Sequence, residues 1–89
     1  MEKKDYKINV KILPSRLRLE MELPSIATGI MVIECLLQNK KLNLPKLDER
    51  GSLLRYMLVS EGIGWGIDES KTIYEAGIRD GDTLILTTY

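Results

Sequence analysis

From Tyr6 to Leu13 apolar and polar positions alternate: Tyr6, Ile8, Val10 and Ile12 share one side, Lys7, Asn9 and Lys11 the other. A period of two is that of an extended strand with one face in a core. Pro14, Ser15 and Arg16 supply a turn. Leu17, Leu19, Met21 and Leu23 then alternate with Arg18, Glu20 and Glu22, and the close spacing of the two runs predicts a β-hairpin. After Pro24-Ser25 the period changes to that of a helix. Ile26, Ile30, Ile33 and Leu37 fall on one face at roughly 100° per residue. Either Ser25 or Thr28 suits the N-cap. Lys40 and Lys41 suit the negative end of the helix dipole, and Asn43-Leu44-Pro45 is the expected stop.

Lys46 to Ser52 is polar, and Leu53 to Val59 predicts a third strand running into Ser60-Glu61-Gly62. Gly62 to Asp68 is either a short further strand or a returning loop. Thr72-x-x-Glu75 is a capping-box pattern ahead of one helical turn, which Gly77 ends in the left-handed conformation. Asp80-Gly81-Asp82 makes a tight turn, and Thr83 to Thr87 alternates again as the last strand. The order predicts an α+β fold, a mixed sheet of four to five strands on one main helix. Residues 1–5 are expected to form a polar extension and residues 6–89 a single domain.

This is the element order of the β-grasp arrangement, and the residues carry a closer likeness. Glu69 to Leu86, ESKTIYEAGIRDGDTLIL, resembles the closing segment of ubiquitin-like domains: a threonine-capped turn, a small residue followed by isoleucine, a polar turn, then an alternating strand. The hairpin and the Pro24-Ser25 helix entry also sit where ubiquitin has theirs. Within that superfamily the Gly77-Ile78 to Leu84 ending is similar to that of the YukD/EsaB group, accessory proteins of bacterial type VII secretion. The resemblance implies a non-enzymatic protein–protein interaction module. It departs from the conjugated modifiers and sulfur carriers of this fold, which need a Gly-Gly tail for adenylation. Here Thr87-Thr88-Tyr89 follow the last strand, so covalent transfer through this end is not expected. The alternative is a modifier or carrier whose tail is missing from this chain.

Composition narrows the chemistry. The 89 residues hold 13 cations and 13 anions and lack histidine, so neither a nucleic-acid surface nor a histidine-based acid–base or metal site is indicated. No catalytic, cofactor-binding or metal-ligating residues are nominated, and no enzyme activity, cofactor or small-molecule substrate is expected. Cys35 has no histidine partner to activate it and sits among apolar neighbours, so it reads as a packed or interface thiol rather than a nucleophile. Its being the lone cysteine fits a cytoplasmic location. Asp80 and Asp82 read as turn residues rather than a cation site. Gly62, Gly64 and Gly66 lack the long helix of a phosphate-binding loop. Arg16, Arg18, Lys7 and Lys11, offset by Glu20 and Glu22, read as cross-strand charge pairs on a solvated face. Trp65 belongs either at the core edge or at a contact surface.

One stretch is too oily for its place. With Ile26, Ile30, Ile33 and Leu37 on the sheet, Val32, Cys35 and Leu36 project outward, with Met31 beside them. Either the helix is turned from this phase and the Lys46–Ser52 loop covers part of it, or these residues form a partner-docking or self-association patch. The partner would be a protein or a second copy, and the membrane would be reached only through a protein complex. A second candidate patch is Met57 with Ile85, outward positions of the third and last strands. The resemblance implies this one, since matching positions form the recognition surface of ubiquitin.

Overall fold

The computed structural model describes residues 5–13, 15–62, 64 and 66–88. Strand β1 (Asp5–Ile12) pairs antiparallel with β2 (Leu17–Pro24), helix α1 (Gly29–Leu37) follows, and β3 (Tyr56–Ser60) and β4 (Thr83–Thr88) complete the sheet. The four strands lie in the order β2-β1-β4-β3, with β1 and β4 parallel at the centre and the other pairs antiparallel. A hairpin whose first strand pairs with the last one through a crossing helix is the β-grasp roll that the periodicities predict.

Strand alternation survives intact. Tyr6, Ile8, Val10 and Ile12 of β1, Leu58 of β3 and Leu84 and Leu86 of β4 are all buried beneath α1. Leu19 and Met21 of β2 pack at the margin of this core. The 69–82 segment closes the roll as the capping pattern predicts. Thr72 Oγ1 accepts the Glu75 N–H and Glu75 Oε1 accepts the Thr72 N–H, each at 3.1 Å. Gly77 then turns at φ 89°, which lets Ile73 and Ile78 both enter the core.

Two boundaries differ from those the sequence predicts, and one open alternative is resolved. The helix ends at Leu37, so Lys40 and Lys41 lie beyond its last turn. Asn39 stops it early: its N–H bonds the Leu36 carbonyl, and its Oδ1 accepts the Lys41 N–H at 3.0 Å. Strand β3 starts at Tyr56 rather than Leu53, because Leu53 is taken up in a bridge to Leu47 around a turn built on Asp48. Of the two readings of residues 62–68, the described residues give the returning loop, with Gly66 bridged to Val59 and the Ile67 N–H on the Leu58 carbonyl.

Candidate protein-interaction surface

Helix α1 is capped by Thr28, whose Oγ1 accepts the Met31 N–H at 3.2 Å. Its buried residues are Gly29, Val32, Ile33 and Leu36, the i, i+3, i+4, i+7 pattern of a single face. The face is therefore turned by roughly 80° from the one that Ile26, Ile30, Ile33 and Leu37 define, at 100° per residue. This corrects the outward placement of Val32 and Leu36, which are 0% and 1% exposed and belong to the core. Met31 is 56% exposed and Cys35 also faces solvent, joined by Ile26 and Ile30, which the helical periodicity alone places against the sheet.

Gly29 causes the rotation. A β-carbon at this position would lie 2.8 Å from the Glu69 α-carbon, closer than non-bonded carbons approach. The helix start is tied to that same segment: the Gly29 N–H reaches the Lys71 carbonyl at 3.2 Å and the Ile30 N–H the Glu69 carbonyl at 3.0 Å. Thr28 also bridges Thr72. A residue without a side chain faces the closing segment, and the phase of everything after it follows.

On the opposite side of the molecule the outer face of the sheet is divided. Over β1 and β2 it carries Lys7, Asn9, Lys11, Arg18, Glu20 and Glu22, all polar. Over β3 and β4 it carries Met57, Val59 and Ile85, each half-buried and apolar. Val59 stands directly opposite Ile85, and Met57 opposite Thr87, so Met57 and Ile85 are diagonal neighbours within side-chain reach. The two candidates from the sequence thus share one surface, and Val59 is the member it missed; its place two residues after Met57 on an alternating strand was the available signal. Gly66 passes so close that a β-carbon there would meet the Met57 methyl at 3.0 Å. Lys11 Nζ and Glu61 Oε2 pair at 2.6 Å across β4 and frame the patch. The helix residues Met31 and Cys35 lie on the far side of the core, and the structure does not join them to Met57 and Ile85.

The polar candidates are engaged locally. Asp80 Oδ1 accepts the Lys7 N–H at 2.7 Å and Asp82 Oδ2 the Arg79 N–H at 2.8 Å, so the first carboxylate holds the Asp80-Gly81-Asp82 turn against β1 and the second closes the turn itself. Asp68 is likewise a turn residue; the Ser70 hydroxyl and backbone N–H on its Oδ1 hold the carboxyl below its ordinary range. Lys7 stands opposite Glu22 in the hairpin, yet among the described residues only Lys11–Glu61 is within ion-pair distance. The expected cross-strand charge pairs are therefore not made. Trp65 lies outside the described residues. Among the described residues no helix is long and apolar enough to cross a membrane.

No family model matches the sequence, and no curated protein does either. Solved structures do. Ubiquitin of Caldiarchaeum subterraneum superimposes with a TM-score of 0.70 at 23% identity, covering 97% of this chain and 95% of that one. The fold is the ubiquitin-like one. The same ubiquitin-like fold is found in the EccD5 ubiquitin-like domain from Mycobacterium xenopi, with a TM-score of 0.65, 19% identity, and 97% and 96% of the two chains covered. A chain of the MycP5-free ESX-5 inner membrane complex matches at a TM-score of 0.63 and 18% identity, over 96% of this chain and 21% of its own.

Proposed function

We propose that the protein is a non-enzymatic interaction module, a YukD/EsaB-like accessory protein of bacterial type VII secretion that works on the cytoplasmic side. It docks a protein partner on the outer face of β3 and β4. The observation that carries this reading is the apolar group Met57, Val59 and Ile85 on a sheet face whose other half is charged. An apolar group framed by polar residues is the usual composition of an interaction site. Support for the secretion role comes from the EccD5 domain and the ESX-5 complex, where this fold is part of a secretion assembly. Contact with the membrane is then indirect, through that assembly.

Tagged protein purified from its host should bring down components of the secretion complex. Ile85→Lys and Met57→Lys, placed on the outer face, should abolish that association while leaving the circular dichroism spectrum unchanged. Retention of the same components by both variants would reject the surface. Likeness to the archaeal ubiquitin supports a second reading, a covalent modifier with a longer native chain. Intact-mass analysis of endogenous protein showing added residues ending in Gly-Gly would favour it.

A further inference from the structure

The two edges of the sheet are treated differently. Beside β3, the returning loop covers the edge through the Val59–Gly66 bridge and the Ile67 N–H on the Leu58 carbonyl. Strand β2, at the other edge, has no neighbour on its far side among the described residues. The Asn9 and Leu13 N–H groups bond to Asp82 and Leu86 of the β4 side, and the Lys7 carbonyl accepts from Gly81. Odd-numbered residues of β1 therefore turn their backbone toward β4 and even-numbered ones toward β2. Through the register of the hairpin, Leu17, Leu19, Met21 and Leu23 turn theirs toward β1. Arg18, Glu20 and Glu22 point their N–H and C=O groups into open solvent. Such an edge templates a further strand.

Its charges say which strand. Arg18 stands opposite a cation, Lys11, across the hairpin. Lys11 is satisfied by Glu61, and among the described residues no carboxylate is within ion-pair distance of Arg18. Like charges directly opposite are unfavourable, so Arg18 gains from a counter-charge on the open side. A second β2 laid antiparallel about a two-fold axis through Leu19 supplies it. Arg18 then faces Glu20 of the second copy, and Glu20 faces its Arg18. Arg16 falls opposite Glu22 at either end, although its φ of 62° turns its backbone out of the ladder. On the core side Leu19 meets Leu19 and Leu17 meets Met21. Neighbouring registers match less well: an axis through Glu20 keeps Arg18 against Glu22 but sets Glu20 against Glu20, one through Arg18 keeps Arg16 against Glu20 but sets Arg18 against Arg18, and one through Met21 sets Glu20 against Glu22.

We propose that the β2 edge is a self-association surface, joining two copies into one continuous sheet by an antiparallel β2–β2 pairing centred on Leu19. This is independent of the apolar face over β3 and β4, which the pairing leaves free. An isologous contact of this kind closes on itself and stops at two copies. The contact is small, so the dimer is a weak one that exchanges with monomer.

Analytical ultracentrifugation of the full chain from ~10 μM to ~1 mM in low salt tests it. Wild-type protein should dimerise, and added salt should weaken the dimer. Arg18→Glu and Glu20→Arg each set like charges face to face at two places, so each should raise the dissociation constant about tenfold or more. The double variant exchanges the charges and should recover the wild-type constant. In wild-type protein, amide exchange of Arg18 and Glu20 should slow with rising concentration while that of Glu22 does not, a reading that needs no variant. A monomer throughout the range, single variants that dimerise as wild type, a double variant that fails to recover, or exchange at Arg18 and Glu20 independent of concentration would each overturn the proposal.

Discussion

Gly29 decides more of this structure than any apolar residue near it. Intrinsic propensity favours alanine over glycine inside a helix by about 1 kcal/mol, which would make Gly29→Ala a stabilising change. The structure predicts the reverse, because the added methyl would meet the Glu69 backbone at 2.8 Å and neither chain segment is free to retreat. Both are held by the Gly29–Lys71 and Ile30–Glu69 hydrogen bonds. Gly29→Ala is expected to lower the unfolding free energy by about 1–3 kcal/mol, as overpacking does, read as a reduced urea midpoint at unchanged slope. A midpoint at or above wild type would mean that the helix start is not fixed against the closing segment. The same residue explains why the helix phase was illegible in the sequence. Periodicity weighs side chains, and both Ile26-Ile30-Ile33-Leu37 and Gly29-Val32-Ile33-Leu36 satisfy a helical face. What separates them is a tertiary approach that only the absence of a side chain records.

At the scale of the element, legibility follows how local the determinant is. Strands β1, β2 and β4 were readable because an alternating run states its own buried face. The capping box was readable because both its hydrogen bonds lie within residues 72–75. The start of β3 was not, since Leu53, apolar but paired with Leu47 in a separate turn, continues the strand-like run in sequence only. The candidate site divides the same way. Met57 and Ile85 owe their outward placement to alternation and their candidacy to the resemblance, whereas Val32 and Leu36 depended on a phase set from outside the helix. The capping box carries its own prediction. Thr72→Ala removes the acceptor of the Glu75 N–H at a turn that seats Ile73 and Ile78 in the core. A cost of about 1 kcal/mol is expected, the usual effect of losing a cap. Thr72→Ser, which keeps the hydroxyl, should recover most of it in the same denaturation experiment. If alanine and serine behave alike, the methyl rather than the hydrogen bond is what matters at Thr72.

At the scale of the whole molecule the open question is what holds residues 38–55 to the roll. They form the long crossing from α1 to β3, with Leu42, Leu44 and Leu54 packed on the margin of the core. A polar tie is the Tyr56 hydroxyl, which donates to the Pro45 carbonyl. Burial raises the Tyr56 phenol above its ordinary 10.0, so the folded state favours the neutral, donating form. The sign follows from linkage. The unfolded phenol ionises near pH 10 and the folded one higher, so this contribution is complete below about pH 10 and fades as pH rises through the folded value. Urea unfolding of wild type and Tyr56→Phe, compared from about pH 8 to 11, should show wild type more stable at the lower end. The gap should narrow on the alkaline side, where wild type loses the hydrogen bond that phenylalanine never makes. A constant gap would mean that Tyr56 contributes through its buried ring alone, and that the crossing is held by Leu42, Leu44 and Leu54 without help from the hydroxyl.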